Sequence, residues 1–161
     1  MREGSRVSAP RIAGPAPLAP ELAEAILRTV PEWFGQEQAL LDYAQDAASL
    51  PTFTAAIGGE TLAFATLRPH FAETAEINCI AVSRQHHGHG LGSALVAMAE
   101  RWWQAQGGRL LQVKTIGPSH PDPNYARTRE FYRRVGFLPV EEFATLWSAR
   151  HPCLLLVKPI G

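Results

Sequence analysis

Net charge is missing: fifteen Lys and Arg offset fifteen Asp and Glu, leaving a formal charge of zero. No global positive field gathers nucleic acid or anionic membrane around the chain, any charge-driven binding must be local, and neither is expected as a partner. Long apolar runs are missing too. No stretch approaches the ~20 residues of a membrane span. The opening MREGSRVSAPRIAGPAP has no apolar core of signal-peptide length, so the expected location is cytoplasmic. Cysteine is scarce, with only Cys79 and Cys153. Each lies in an apolar run, INCIAV or PCLLLV, that reads as a strand. This predicts two buried, reduced thiols unless the strands are neighbours in register. No internal repeat or low-complexity block is present, and neither nucleotide signature, G-x-G-x-x-G or G-x-x-x-x-G-K-[ST], has a match.

Apolar material is plentiful. At 46% hydrophobic over 161 residues, the chain can build one core of packed layers, a single domain over 1–161 with residues 1–6 expected to be disordered. A short strand and a loose connection fit the Pro, Gly and Ala crowded into residues 9–20. PELAEAILRTVPEWFG then carries helical propensity, with Leu22, Ile26 and Val30 spaced to share a face. QEQALLDYAQDAASL predicts a second helix, closed by Pro51. TFTAAI and TLAFATLRP, joined by GGE, predict a hairpin, and AEINCIAV a further strand. Leu91, Ala94, Leu95, Met98 and Trp102 recur at helical spacing up to Gly107-Gly108, and RLLQVKTI returns as a strand. Strand, glycine-rich turn, helix and strand make a βαβ unit with parallel strands. After the loop GPSHPDPN come a helix from Tyr125 to Val135 and the strands FLPVEEF and CLLLVKPI. The expected fold is α/β (mixed α+β), a central twisted mixed sheet flanked by about four helices in the order β-α-α-β-β-β-α-β-α-β-β. The apolar run CLLLV is able to pair across a homodimer.

HHGHGLGSAL, His86 to Leu95, is the densest motif. Its glycines lie where a strand ends and a helix begins, where free N–H groups and the positive end of the helix dipole favour an anion, and glycine lets that anion approach the backbone. His87 and His89 can donate to phosphate oxygens without placing a fixed charge in the loop. A metal cluster of Cys79, His86, His87, His89 and His120 fits no closed zinc spacing, so no metal is expected. Ser119, His120 and Asp122 lie too close together in sequence to work as a hydrolase triad.

His87-Gly88-His89-Gly90-Leu91-Gly92 resembles the signature Q/R-x-x-G-x-G/A of the GNAT N-acetyltransferases, with His in the first position. AEINCIAV looks like that family's fourth strand and TREFYRRVGF like its fourth helix. The family often has an Asn seven residues before the helix tyrosine. Here Tyr125 takes that place and Asn124 is displaced by one. The resemblance spans about residues 52–143 and implies acetyl-coenzyme A as co-substrate, with its pyrophosphate on the backbone of Gly88, His89, Gly90, Leu91, Gly92 and Ser93. It implies a pantetheine arm beside Ile80, Ala81 and Val82, and the helix residues Asn124, Tyr125, Thr128 and Phe131 along the other side. The thioester and the amine are then expected to meet in a V between the fourth and fifth strands.

The same resemblance implies Glu76 as general base and Tyr132 as the acid that protonates the departing thiolate. The chemistry calls for both, because an alkylammonium of pKa near ~10 is no nucleophile until it loses a proton. The alternatives are a solvated strand end for Glu76 and a core ring with its hydroxyl at the rim for Tyr132. Alternation along the strand predicts that Glu76, Asn78, Ile80 and Val82 share a face. Asn78, His120 and Asp122 are expected near the acceptor, with Trp33 and Phe34 as the facing wall or as core. The expected reaction is acetyl transfer to the amine of a small molecule or peptide by direct attack in a ternary complex. The alternative is a module that senses an acyl-coenzyme A without catalysis.

Overall fold

The computed structural model describes residues 9–161, so the expectation for residues 1–6 lies outside the described residues. The elements follow the expected order. They are β1 (Arg11–Ala13), α1 (Pro20–Arg28), α2 (Glu37–Ser49), β2 (Thr52–Ile57), β3 (Glu60–Pro69), β4 (Thr74–Val82), α3 (Leu91–Ala105), β5 (Leu110–Ile116), α4 (Pro123–Arg134), β6 (Leu138–Ser148) and β7 (His151–Pro159). They form one seven-stranded sheet ordered β1-β2-β3-β4-β5-β7-β6, antiparallel except where β4 meets β5. A core of Phe53, Leu67, Ile77, Leu95, Trp103, Leu111 and Phe137 binds α3 and α4 to one face. Ile26, Leu27, Leu40, Phe64, Cys79 and Ala81 bind α1 and α2 to the other. No helix among the described residues is long and apolar enough to cross a membrane.

Two features of β4 position the site. Its parallel ladder with β5 runs only from Thr74↔Leu110 to Ile77↔Val113, and beyond that the strands part. The second feature is a β-bulge. Against β3, Leu67 pairs with Ile77 but Thr66 pairs with Cys79, which leaves Asn78 as the extra residue. An extra residue reverses the period-2 alternation beyond it. Ala75 and Ile77 therefore pack on the α3 side, while Cys79 and Ala81 pack on the α1–α2 side. The expectation that Glu76, Asn78, Ile80 and Val82 share a face is corrected accordingly. Asn78 reaches Asp46 of α2, whereas Ile80 and Val82 pack against the α3 core.

Other corrections are local. Leu22 is 49% exposed, and the buried stripe of α1 runs through Ala23, Ile26 and Leu27 to Val30. α4 begins at Pro123, because the Asp122 carboxylate accepts from the Asn124 N–H at 2.8 Å and proline suits the first helical turn. β6 runs five residues past Phe143, carried by its pairing with β7 through Ser148↔His151. β7 is hydrogen-bonded to β5 on one side and β6 on the other, so CLLLV has no free edge with which to join a second copy. The edge strand there is β6. Cys79 and Cys153 are free and buried, on strands separated by β5.

Candidate active site

The parted strands open a cleft of about 990 Å³. At one end lies the N-terminus of α3, capped by Gly90 in the left-handed region at φ 80° and by no side chain. The first N–H groups of the helix, at Leu91, Gly92 and Ser93, are thus open to an anion. Gly88 also takes a positive φ, 78°, which an L side chain rarely adopts. Gly92 faces α4, and a Cβ there would stand 3.2 Å from the Phe131 ring. Glycine therefore lets helix and loop close on each other.

His87 lines the cleft. Its Nε2 donates to the Val82 carbonyl at 2.7 Å and its ring stands edge-on to Trp33. His89 does not line the cleft. Among the described residues no three His, Cys, Asp or Glu side chains converge where a metal could be held.

The wall opposite β4 is one face of α4, where Tyr125, Thr128, Phe131 and Tyr132 line the cleft at helical spacing. The Trp33 indole N–H donates to Thr128 Oγ1 at 2.9 Å, tying the α1–α2 connection to α4 across the cleft. Trp33 and Phe34 are thus wall residues, half-buried, with Phe34 edge-on to Tyr43. Tyr132 is 5% exposed and packs against Phe131 and Phe137. Burial pushes its phenol well above the ordinary value. No protein group bonds its hydroxyl among the described residues, and the residue borders the cleft.

Glu76 lies at the root of the V, on the α2 side. Its Oε1 accepts from His70 Nε2 at 2.7 Å, Gln112 Nε2 at 3.2 Å and Lys114 Nζ at 3.4 Å. Burial alone would raise the carboxyl. The His70 bond, the Lys114 charge and the Gln112 amide outweigh burial and hold the group below the usual carboxylate range. Glu76 is therefore an anion at neutral pH, one layer behind the cleft lining. Asn78 does line the cleft, with its amide donating to Asp46 Oδ2 at 3.0 Å.

Besides Glu76 and His89, three expected residues lie outside. Asn124 does not line the cleft, and its Oδ1 accepts from Arg127. Asp122 caps α4. His120 lines a separate depression, its ring stacked on His151 and edge-on to Tyr125. Conversely, the cleft is lined by Tyr43, Lys114, Trp147 and His151, which sequence reasoning missed. Lys114 left a trace in the sequence, as a lone charge in the apolar run LLQVKTI. The others left none, because only the tertiary fold brings α2 and the β6–β7 hairpin to this cleft. Burial pushes the Tyr43 phenol up to about 12.

No curated protein matches the chain. A solved structure described as belonging to the GNAT family, from Desulfovibrio desulfuricans, is 22% identical with a TM-score of 0.81, covering 95% of this chain and 100% of the other. The ribosomal-protein-S18-alanine N-acetyltransferase of Escherichia coli is 18% identical with a TM-score of 0.76, over 95% of each chain. An aminoglycoside 6'-N-acetyltransferase complexed with coenzyme A is 16% identical with a TM-score of 0.75, over 94% of this chain and 97% of its own. At these identities the likeness is one of fold. The family model for the acetyltransferase (GNAT) family matches residues 19–137. With most of the chain covered by that match, and with a glycine-capped helix facing parted strands, the protein belongs to the GNAT acetyltransferase family.

Proposed function

We propose that the chain transfers acetyl from acetyl-coenzyme A to an amine by direct attack in a ternary complex. The observation that carries this reading is the unbonded Tyr132 hydroxyl, which borders a cleft with an anion-ready helix end at one side and a buried carboxylate at its root. The open N–H groups of Leu91, Gly92 and Ser93 hold the pyrophosphate of the donor. Its arm lies along Ile80 and Val82, facing Thr128 and Phe131. Neighbours solved with coenzyme A or acetyl-coenzyme A support that donor. Docking the arm there competes with the Trp33–Thr128 bond and with the His87 hold on Val82.

The new N–C bond forms as the C–S bond breaks, and the nitrogen gives up a proton. Glu76 draws that proton away through water, since its side chain is only 14% exposed behind the cleft. Taking a proton from a free alkylammonium would span more than ~5 pKa units, about 7 kcal/mol. Glu76 therefore acts on the nitrogen during attack, once bonding to carbon has made it acidic. Tyr132 donates a hydrogen bond to the sulfur as negative charge gathers there.

Release of free thiol with amine present, and the mass of the acetylated product, test the reading. Initial rates over both substrates should give intersecting reciprocal plots. Parallel plots would indicate an acyl-enzyme. Donor binding without thiol release for any amine would leave the sensing module as the better account.

A further inference from the structure

Charged side chains are unevenly placed along the cleft. Glu32, Lys114, Arg127 and Arg134 are its charged acids and bases besides histidine. Glu32 is held by Arg84. Arg127 and Arg134 lie on α4 to either side of Phe131, the ring that meets Gly92 of the glycine turn. Lys114, one of two lysines in the chain, stands apart from them. The β4–β5 ladder ends at Ile77↔Val113, which makes Lys114 the first β5 residue beyond the parting, on the side that faces Glu76.

Lys114 is an ammonium with room to act. Its side chain is 30% exposed, and its 3.4 Å contact is the longest of the three on Glu76 Oε1. His70 and Gln112 serve that oxygen independently. An ammonium has three donors, so one turned to Glu76 leaves two for a ligand. The Lys114–Glu76 pair offers a cation beside an anion. It suits an acceptor whose amine has an anion beside it. Phe34, Tyr43, Leu146 and Trp147 wall the same cleft, so the rest of the acceptor meets apolar and aromatic surface.

We propose that the acceptor is a small α-amino carboxylate with an apolar or aromatic side chain, its carboxylate held by the Lys114 ammonium. The inference rests on the acetyl-transfer reading above. Nitrogen and carboxylate oxygens in such a molecule lie about 3 Å apart. A carboxylate on Lys114 thus leaves the amine at the root of the V, next to the Glu76 anion. The amine nitrogen forms its bond to the acetyl carbon, the C–S bond breaks, the nitrogen loses one proton and coenzyme A leaves as the thiol. The carboxylate is unchanged, and the product is an N-acetylamino acid.

The test compares phenylalanine, phenylalaninamide, phenethylamine and spermidine as acceptors, each rate expressed per neutral amine. Wild type should favour phenylalanine over both uncharged-tail analogues by about 30-fold in kcat/KM, the scale of one charge-assisted hydrogen bond. Spermidine should be the poorest acceptor. Lys114→Gln should bring the phenylalanine-to-amide ratio close to one, and Lys114→Arg should keep most of it. Equal use of phenylalanine and its amide by wild type would overturn the proposal. So would a Lys114→Gln loss that is the same for every acceptor, which would confine Lys114 to supporting Glu76. Thiol release with spermidine but none with phenylalanine would overturn the substrate class and leave acetyl transfer standing. Acetyl-coenzyme A binding without thiol release for any of the four would overturn both.

Discussion

Replacing Tyr132 by Phe removes one oxygen from a side chain that is otherwise core. The ring sits 5.4 Å from Phe131 and 5.8 Å from Phe137, centroid to centroid, and Phe preserves both contacts. The hydroxyl has no protein partner among the described residues, so the fold loses no hydrogen bond. Stability should change by no more than about 0.5 kcal/mol, or roughly 2 °C in Tm for a chain of this size. The kinetic effect should be far larger. Burial holds the phenol above its ordinary value, while a thiolate has a pKa near ~8.5, so full proton transfer to sulfur would run uphill. What the hydroxyl can supply is a hydrogen bond to a developing anion, about 1.5–3 kcal/mol, which corresponds to a roughly 10- to 150-fold loss of kcat. Thiol release at saturating substrates, calorimetric donor binding and a thermal melt make up the assay. Unchanged kcat would refute the reasoning. A melt lowered by several degrees would also refute it, by showing that the hydroxyl holds the core.

Glu76→Gln should lower kcat with donor affinity retained, and the loss should persist as pH rises, because Glu76 acts on the nitrogen during attack and not on the free ammonium; pH–rate profiles check this. Because the folded-state pKa of Glu76 is depressed, its stabilising contribution is present above the unfolded value near ~4.3 and is lost as pH falls through the folded value. Melts taken between pH 3 and 7 should therefore fall less steeply at the acid end for Glu76→Gln than for wild type. Gly92→Ala sets a methyl 3.2 Å from the Phe131 ring, which must shift by a few tenths of an ångström, and should weaken acetyl-coenzyme A binding by about tenfold in a calorimetric titration. Asp122→Ala removes the cap of α4 and should cost about 1 kcal/mol in denaturant unfolding, with the acceptor KM unchanged.

The element order, the glycine turn and the α4 face were legible because each rests on local chemistry. A helix period, a turn residue or a strand alternation acts over a few neighbours. The misreadings share a different origin. Asn78 is a bulge only because Leu67 and Thr66 of β3 pair on either side of it, and nothing in INCIAV records that register. β7 reads as apolar whether it lies at an edge or between two strands, and its partners decide which. The bond from His87 to the Val82 carbonyl likewise depends on how the turn folds back, which the motif does not record. Asp122, read as an acceptor contact, could have been recognised as a cap from the D-P-N order alone.

The bulge at Asn78 also divides labour along a single strand. Before it, Glu76 belongs with Asp46, Arg68 and His70 on the α2 layer. After it, Ile80 and Val82 belong with α3 and the glycine turn. On the proposed reading, substitutions at 76 and 78 would alter the acceptor side and substitutions at 80 and 82 the coenzyme side, although all four lie within seven consecutive residues. In evolutionary terms the strand is a hinge between two independently variable surfaces. A lineage could retune which amine it uses without disturbing its hold on the donor.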